Sequence, residues 1–351
     1  MIKWLLKYSV VIFLFNTILL SIDVTRSFAN QVFFVLMFVY AMFLMLNPAL
    51  IKNIIFHKAF NLFLILNGIN IFYFFCFHSF NDIEAIQYLL ARIVQFSIIS
   101  ISIYFNYDFY KDYFLTFLVY VISAVVVLGL MYNIDIFSDR YSGIIWNPNM
   151  LCSFTSIAFA ILFLDNKTKN KFDIIILTIL FLVTIATGSR GALVAITLAF
   201  IFKYGLTYRN ILYGIMGLGF YFIVVDFQFD TSINRFASQS LFHDRLLQYQ
   251  YAYETLIQKP FIGFGLDKYA YINTALIPDH LSMYNISAHN GYLAILTQYG
   301  MVVGGVILYF ILSKSLLVFN NNLKRKSLRG LLYIIVPLII LFLFLSYEFP
   351  V

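Results

Sequence analysis

The sequence predicts an all-α polytopic membrane protein of about eleven transmembrane helices, with one large loop on the outer face that carries an amphipathic helix. Three observations carry this prediction. Hydrophobic residues make up 62% of the 351-residue chain and charged residues only 11%, where a soluble domain carries about 25% charged. Apolar runs of near-spanning length recur from one end of the chain to the other. Lys and Arg, finally, are shared unequally between alternate loops.

The runs lie near residues 4–22, 30–50, 59–77, 93–106, 113–132, 148–164, 174–188, 190–202, 210–226, 290–313 and 330–348. A helix needs roughly 20 apolar residues to cross the hydrocarbon core, so the short fourth, seventh and eighth runs predict tilted or broken helices. The first run ends Leu20-Ser21-Ile22-Asp23, without a small-residue cleavage site, and reads as an uncleaved anchor. Before the sixth run, Asn147-Pro148-Asn149 predicts a helix start with Asn147 as cap and Pro148 in the first turn. Trp146 reads as an interfacial anchor. Residues 1–351 therefore form a single integral-membrane domain, interrupted by the 227–289 loop between the ninth and tenth runs. Within that loop, Leu246, Tyr249, Tyr253, Leu256 and Ile257 recur at helical spacing between Asp244 and Lys259, and Pro260 stops the pattern. Gly263 and Gly265 then suit a tight turn.

With the N-terminus on the cytoplasmic side, the inner loops hold 15 basic and 4 acidic side chains and the outer loops 8 and 12. Arg92 and Arg140 count among the outer eight. The sequence pI of about 9.1 is thus a topology signal rather than a nucleic-acid footprint, and Lys324-Arg325-Lys326 faces anionic lipid head groups. Cys76 and Cys152 read as buried small apolar residues, with no Cys/His pattern suited to a metal.

Candidate functional residues cluster at the outer edge. His289 opens Ala288-His289-Asn290-Gly291-Tyr292-Leu293 where the long loop meets the tenth run, and an imidazole at that boundary suits proton transfer or an interfacial hydrogen bond. Arg190, in Thr187-Gly188-Ser189-Arg190-Gly191-Ala192, interrupts apolar sequence extending from Ile174 to Phe202. A charge there costs roughly 2.5–3.5 kcal/mol on insertion scales, which favours a polar cavity or partner over capping or snorkelling. Arg245, beside His243 and Asp244 at the start of the amphipathic helix, could clamp a phosphate bidentately or pair with Asp244 or Glu254.

In order, Asn147-Pro148-Asn149, Gly188-Ser189-Arg190-Gly191, Arg245, Pro260-Phe261-Ile262-Gly263-Phe264-Gly265 and His289-Asn290-Gly291-Tyr292, followed by Gly300 and Gly304, resemble the O-antigen ligase and O-antigen polymerase (Wzy-type) superfamily of bacterial membrane glycosyltransferases. The resemblance covers residues 130–351 best. It implies a bacterial inner-membrane enzyme whose site faces the periplasm and whose donor is an undecaprenyl-pyrophosphate-linked oligosaccharide. Arg190 and Arg245 match the family's diphosphate-binding arginines and His289 its catalytic histidine, with Ser189, Asn149, His243 and Asn290 as supporting candidates. The chain departs from the common pattern in ending after an eleventh run.

The chemistry suits those residues. A diphosphate leaving group gains negative charge as the anomeric bond breaks, which two arginines stabilise, and histidine accepts the proton of the attacking sugar hydroxyl. Direct displacement inverts the anomeric centre. No Asp-x-Asp pair stands in an outer loop, so the expected reaction uses no metal and no cofactor. A polymerase extending another lipid-linked repeat unit, with a chain-length regulator as a further partner, is the expected activity. A ligase acting on lipid A core and a non-catalytic transporter of lipid-linked sugars are the alternatives. A transporter should show paired broken helices near mid-membrane, whereas here the polar motifs gather on one face.

Overall fold

The computed structural model describes residues 2–57, 60–136, 140–165, 170–205, 207–210, 212, 243–266 and 291–324. Every regular element among them is helical. The first run divides at Tyr8 into α1 (Ile2–Lys7) and α2 (Ser9–Leu20). The second begins earlier than its apolar stretch, as α3 (Asp23–Leu46), and restarts at Pro48 as α4 (Pro48–Phe56). The third is α5 (Asn61–Phe77).

The fourth run proves longer than the sequence suggests. Helix α6 (Ile83–Leu90) passes through a π-helical turn, Ala91–Gln95, into α7 (Phe96–Phe105) without a break. Arg92, assigned to the outer loop by charge counting, lies inside this helix. Its neighbours supply hydrogen-bond partners, so the charge does not end the apolar segment. After α8 (Tyr107–Phe109) and a second π turn, Tyr110–Phe114, come α9 (Leu115–Tyr132), α10 (Pro148–Leu164), α11 (Lys171–Ala186) and α12 (Arg190–Tyr204). The amphipathic segment is α13 (His243–Gln258), and the tenth run is α14 (Gly291–Lys324). All of the ninth run beyond residue 212, the eleventh run and most of the long loop fall outside the described residues.

Among the described residues, four helical segments are long and apolar enough to cross a bilayer: Asp23–Leu46, Ala85–Phe105, Leu115–Tyr132 and Tyr292–Ser313. Ser9–Leu20, Phe63–Phe77 and Pro148–Leu164 are apolar but shorter. The chain is a helical membrane protein.

Helix α10 is the centre of the main core. Fourteen of its residues, from Met150 to Leu164, are buried, and α9, α11 and α12 pack around it. A helix enclosed on all sides must be apolar all round. Its polar exceptions bond inward to their own helix: Ser153 Oγ donates to the Asn149 carbonyl at 3.0 Å and Thr155 Oγ1 to the Leu151 carbonyl at 3.0 Å. The start is the one the sequence predicts, with Asn147 Oδ1 accepting from the Asn149 N–H at 2.8 Å and Pro148 in the first turn. At the far end Lys203 Nζ reaches the Phe163 carbonyl at 2.5 Å, a cation on a helix C-terminus. Helix α11 opens with a reciprocal cap, in which Asn170 accepts from the Asp173 N–H and Asp173 accepts from the Asn170 N–H.

Two predictions about side chains change. Cys152 is buried, but Cys76 is exposed on its helix surface, where bilayer-facing packing tolerates a small apolar thiol. Among the described side chains of α13, Ala252, Thr255 and Leu256 are buried, whereas Tyr253 and Ile257 are 59% and 55% exposed. The apolar residues therefore mark two stripes of this helix, one turned into the protein and one away from it.

Candidate functional site

Two polar constructions stand at helix ends, and each joins motifs far apart in sequence. The first is built on Arg140. Its Nε donates to the Thr187 carbonyl at 3.1 Å and its Nη2 to Asn149 Oδ1 at 2.6 Å. One guanidinium thus ties the first turn of α10 to the turn between α11 and α12. That turn is tight because Gly188 adopts a left-handed φ of 61°. Ser189, 6% exposed, is the N-cap residue of α12, and its N–H approaches Thr187 Oγ1 at 3.3 Å. Arg190 begins α12 directly after it.

Backbone bonds hold the surrounding segment in place. The Tyr141 N–H donates to the Ala186 carbonyl at 3.0 Å, the Trp146 N–H donates to the Ser21 carbonyl at 3.0 Å, and Ile145 pairs with Ile22. The Arg26 guanidinium lies 5.1 Å from the Trp146 ring centre, which fixes that ring beside the α2–α3 turn. Burial pushes the Tyr141 phenol up from its ordinary value, so the ring acts as a neutral packing group against Gly129 and Gly143.

The second construction fills a break in α14. At Gly300 the backbone leaves the helix (φ 72°, ψ 174°), which deprives the carbonyls of Thr297 and Gln298 and the N–H of Met301 of the partners an unbroken ladder would give them. The segment after α13 supplies all three partners. Phe264 N–H donates to Thr297 O at 3.0 Å, Gly265 N–H to Gln298 O at 3.0 Å, and Met301 N–H to Pro260 O at 2.6 Å. Irregular backbone survives in an apolar span only where protein satisfies it in this way. The approach requires glycine on both sides: a Cβ on Gly263 would lie 2.5 Å from the Gln298 carbonyl oxygen, and one on Gly300 would overlap the Phe261 carbonyl.

Side chains brace this junction. Arg92 Nη1 donates to Asn70 Oδ1 at 3.1 Å and to the Tyr299 hydroxyl, and Nη2 donates to Gln298 Oε1 at 3.3 Å. The Tyr299 hydroxyl donates to Asn70 Oδ1, and the Tyr73 hydroxyl donates to the Tyr299 carbonyl at 2.8 Å. Beside them His78, its side chain 5% exposed, accepts the Leu266 N–H at Nε2, 2.8 Å away. Because a backbone N–H can only donate, Nε2 is the accepting nitrogen, and Nδ1 faces Asp82 Oδ2 at 2.7 Å as donor. Asp82 also caps α6 through Ala85 N–H at 3.1 Å.

The sequence-predicted residues distribute as follows. Asn149 accepts from Arg140, and Ser189 and the backbone of Arg190 lie in the turn that the same guanidinium holds through the Thr187 carbonyl. His243 and Arg245 occupy the first turn of α13, whose far end leads into the Gly300 junction. His289 and Asn290 lie outside the described residues, immediately before Gly291 opens α14. Sequence reasoning missed Arg140 and Arg92 as structural centres and overlooked His78. A visible signal existed for one of them: Arg92 interrupts an apolar stretch that starts at Ala85.

No curated protein and no solved structure matches this chain. Residues 175–310, which include the Thr187–Arg190 turn, all of α13 and the Gly300 junction, match the model of a family described as O-antigen ligase, so this part of the chain is similar to the O-antigen ligase and polymerase superfamily.

Proposed function

We propose that this protein is a glycosyltransferase of the bacterial inner membrane that builds surface polysaccharide on the periplasmic side. It transfers an undecaprenyl-diphosphate-linked glycan to a sugar hydroxyl of another lipid-linked repeat unit. The observation that carries this reading is the family match over residues 175–310, a stretch that contains Arg190, Arg245 and His289 together. In this account eleven spans place the 227–289 loop in the periplasm and leave the N-terminus in the cytoplasm, the orientation that the Lys and Arg distribution favours.

Arg190 and Arg245 hold the donor diphosphate and stabilise the charge that builds on it as the anomeric C–O bond breaks. His289 takes the proton from the acceptor hydroxyl, whose oxygen attacks the anomeric carbon from the opposite face, inverting it without a metal. Ser189 and Asn149 support the arginine-bearing turn, and His243 and Asn290 flank the other two groups. Membrane lipid surrounds the polyprenyl chain, and a separate regulator sets the polymer length.

The family's description favours a second reading, in which the acceptor is lipid A core and the protein is a ligase. The acceptor distinguishes them. In a strain lacking the gene and complemented with variants, His289→Ala should leave protein in the membrane but abolish the ladder of chain lengths, and an unchanged ladder would refute the catalytic role. A ligase would instead leave lipid-linked polymer intact and fail to attach it to core. Arg190→Ala and Arg245→Ala should lower donor use, and Lys at either position should rescue poorly because the two-pronged donor geometry is lost. Full activity of both alanine variants would remove the diphosphate clamp.

A further inference from the structure

Arg92 is a half-buried cation inside an apolar helix whose bonding partners among the described residues are neutral: Asn70, Tyr299 and Gln298, with the Tyr88 ring centre 5.1 Å away. Such a residue costs roughly 2.5–3.5 kcal/mol to insert, so its position needs a reason beyond local packing. Depth is the first clue. Arg92 stands nine residues from the start of α6 at Ile83, Asn70 seven from the end of α5 at Phe77 and Tyr299 eight from the start of α14 at Gly291, which puts all three about 10–14 Å along their helices from those ends. The second clue is the π turn Ala91–Gln95, which contains Arg92. One inserted residue resets the helix face, and such turns mark places where a side chain is aimed at a partner. The third is what Arg92 holds: Gln298 and Tyr299, the two residues before the Gly300 break, where the Pro260–Leu266 segment is seated.

We propose that Arg92 is a positioning residue for the transfer reaction. By fixing Gln298 and Tyr299 it fixes the break at Gly300, and the break seats the segment that follows α13. Helix α13, which begins at His243 and carries Arg245, and helix α14, which begins two residues after His289, are joined through this seat. Arg92 therefore sets the relation between the helix of the diphosphate arginine and the helix next to the histidine, while touching neither substrate. The catalytic part of this inference rests on the function proposed above; the seating part does not.

The test uses full-length protein reconstituted in nanodiscs with a polyprenyl-diphosphate-linked oligosaccharide as donor and acceptor. Arg92→Gln and, as a variant that leaves the cation in place, Tyr299→Phe should lower kcat by about 10- to 100-fold, the scale of a small misplacement of reacting groups. KM for the lipid-linked donor should stay within about threefold, because its binding groups remain. Arg92→Lys should not restore kcat, since one ammonium cannot reach Asn70, Tyr299 and Gln298 together. The seat is read separately by oxidising a Phe264→Cys/Thr297→Cys pair, whose backbones are hydrogen-bonded, in protein with Cys76 and Cys152 changed to alanine. Cross-linking should be efficient with Arg92 present and reduced in Arg92→Gln.

Unchanged cross-linking in Arg92→Gln overturns the proposal whatever the activity does. Reduced cross-linking with wild-type kcat overturns the link to catalysis, as does a loss of activity that tracks protein abundance alone. Should the wild-type protein transfer no sugar at all, the functional reading fails, and the cross-linking comparison still decides whether Arg92 holds the seat.

Discussion

At the scale of single residues, Gly263 and Gly300 show how the chain chooses backbone over side chain. Both have left-handed φ angles, 68° and 72°, and each faces main-chain atoms of the other's segment. A methyl group on Gly263 would meet Gln298 O and Gly300 N at 2.5 Å, and backbone cannot swing aside as a side chain can. Gly263→Ala is expected to destabilise the protein by about 2–4 kcal/mol, the sum of overpacking and left-handed strain. Gly305 is the control: a Cβ there meets nothing within 4 Å, so Gly305→Ala should leave the melting temperature unchanged or slightly raised. Thermal unfolding in detergent checks both, and equal melting temperatures for the two variants would contradict the close approach. These glycines were visible in the sequence as members of a familiar pattern. The reason for them was not, because it depends on Phe261–Gly263 meeting Gln298–Gly300 across 35 or more residues of chain.

At the scale of elements, helices with strong local signals were legible and their contacts were not. Asn147-Pro148 announced the start of α10, and Pro260 the end of α13, since caps and breakers act within one turn. The charge rule misplaced Arg92 because it counts cations without seeing Asn70 and Gln298, which lie 22 and 206 residues away. Arg140 escaped for the same reason: nothing near it in sequence foretells the Thr187 carbonyl. His78 is a further case, anchoring the Leu266 N–H at the point where the chain departs toward His289. His78→Ala should therefore loosen the Pro260–Leu266 segment, seen as faster amide exchange there, whereas His78→Gln, whose amide oxygen can accept near the same place, should retain part of the protection. Identical exchange in wild type and His78→Ala would show that the anchor contributes nothing.

For the whole molecule, composition alone established a helical membrane protein, and four long apolar helices agree with it. The larger lesson concerns how the motifs pair. Asn147-Pro148-Asn149 and Thr187–Arg190 become one construction through Arg140, and Pro260–Gly265 and Gly300 become another through their backbones. Each pair brings a turn or helix bearing a proposed diphosphate arginine into a fixed place at a helix end. The central claim is that these places serve sugar transfer from a lipid diphosphate, with His289 as the base and no metal. Incubating purified, reconstituted protein with undecaprenyl-diphosphate-linked repeat units and excess chelator tests it most directly. The account predicts a ladder of lipid-linked polymer from the wild type and none from His289→Ala; no ladder without added magnesium, or an equal ladder from both proteins, would contradict it.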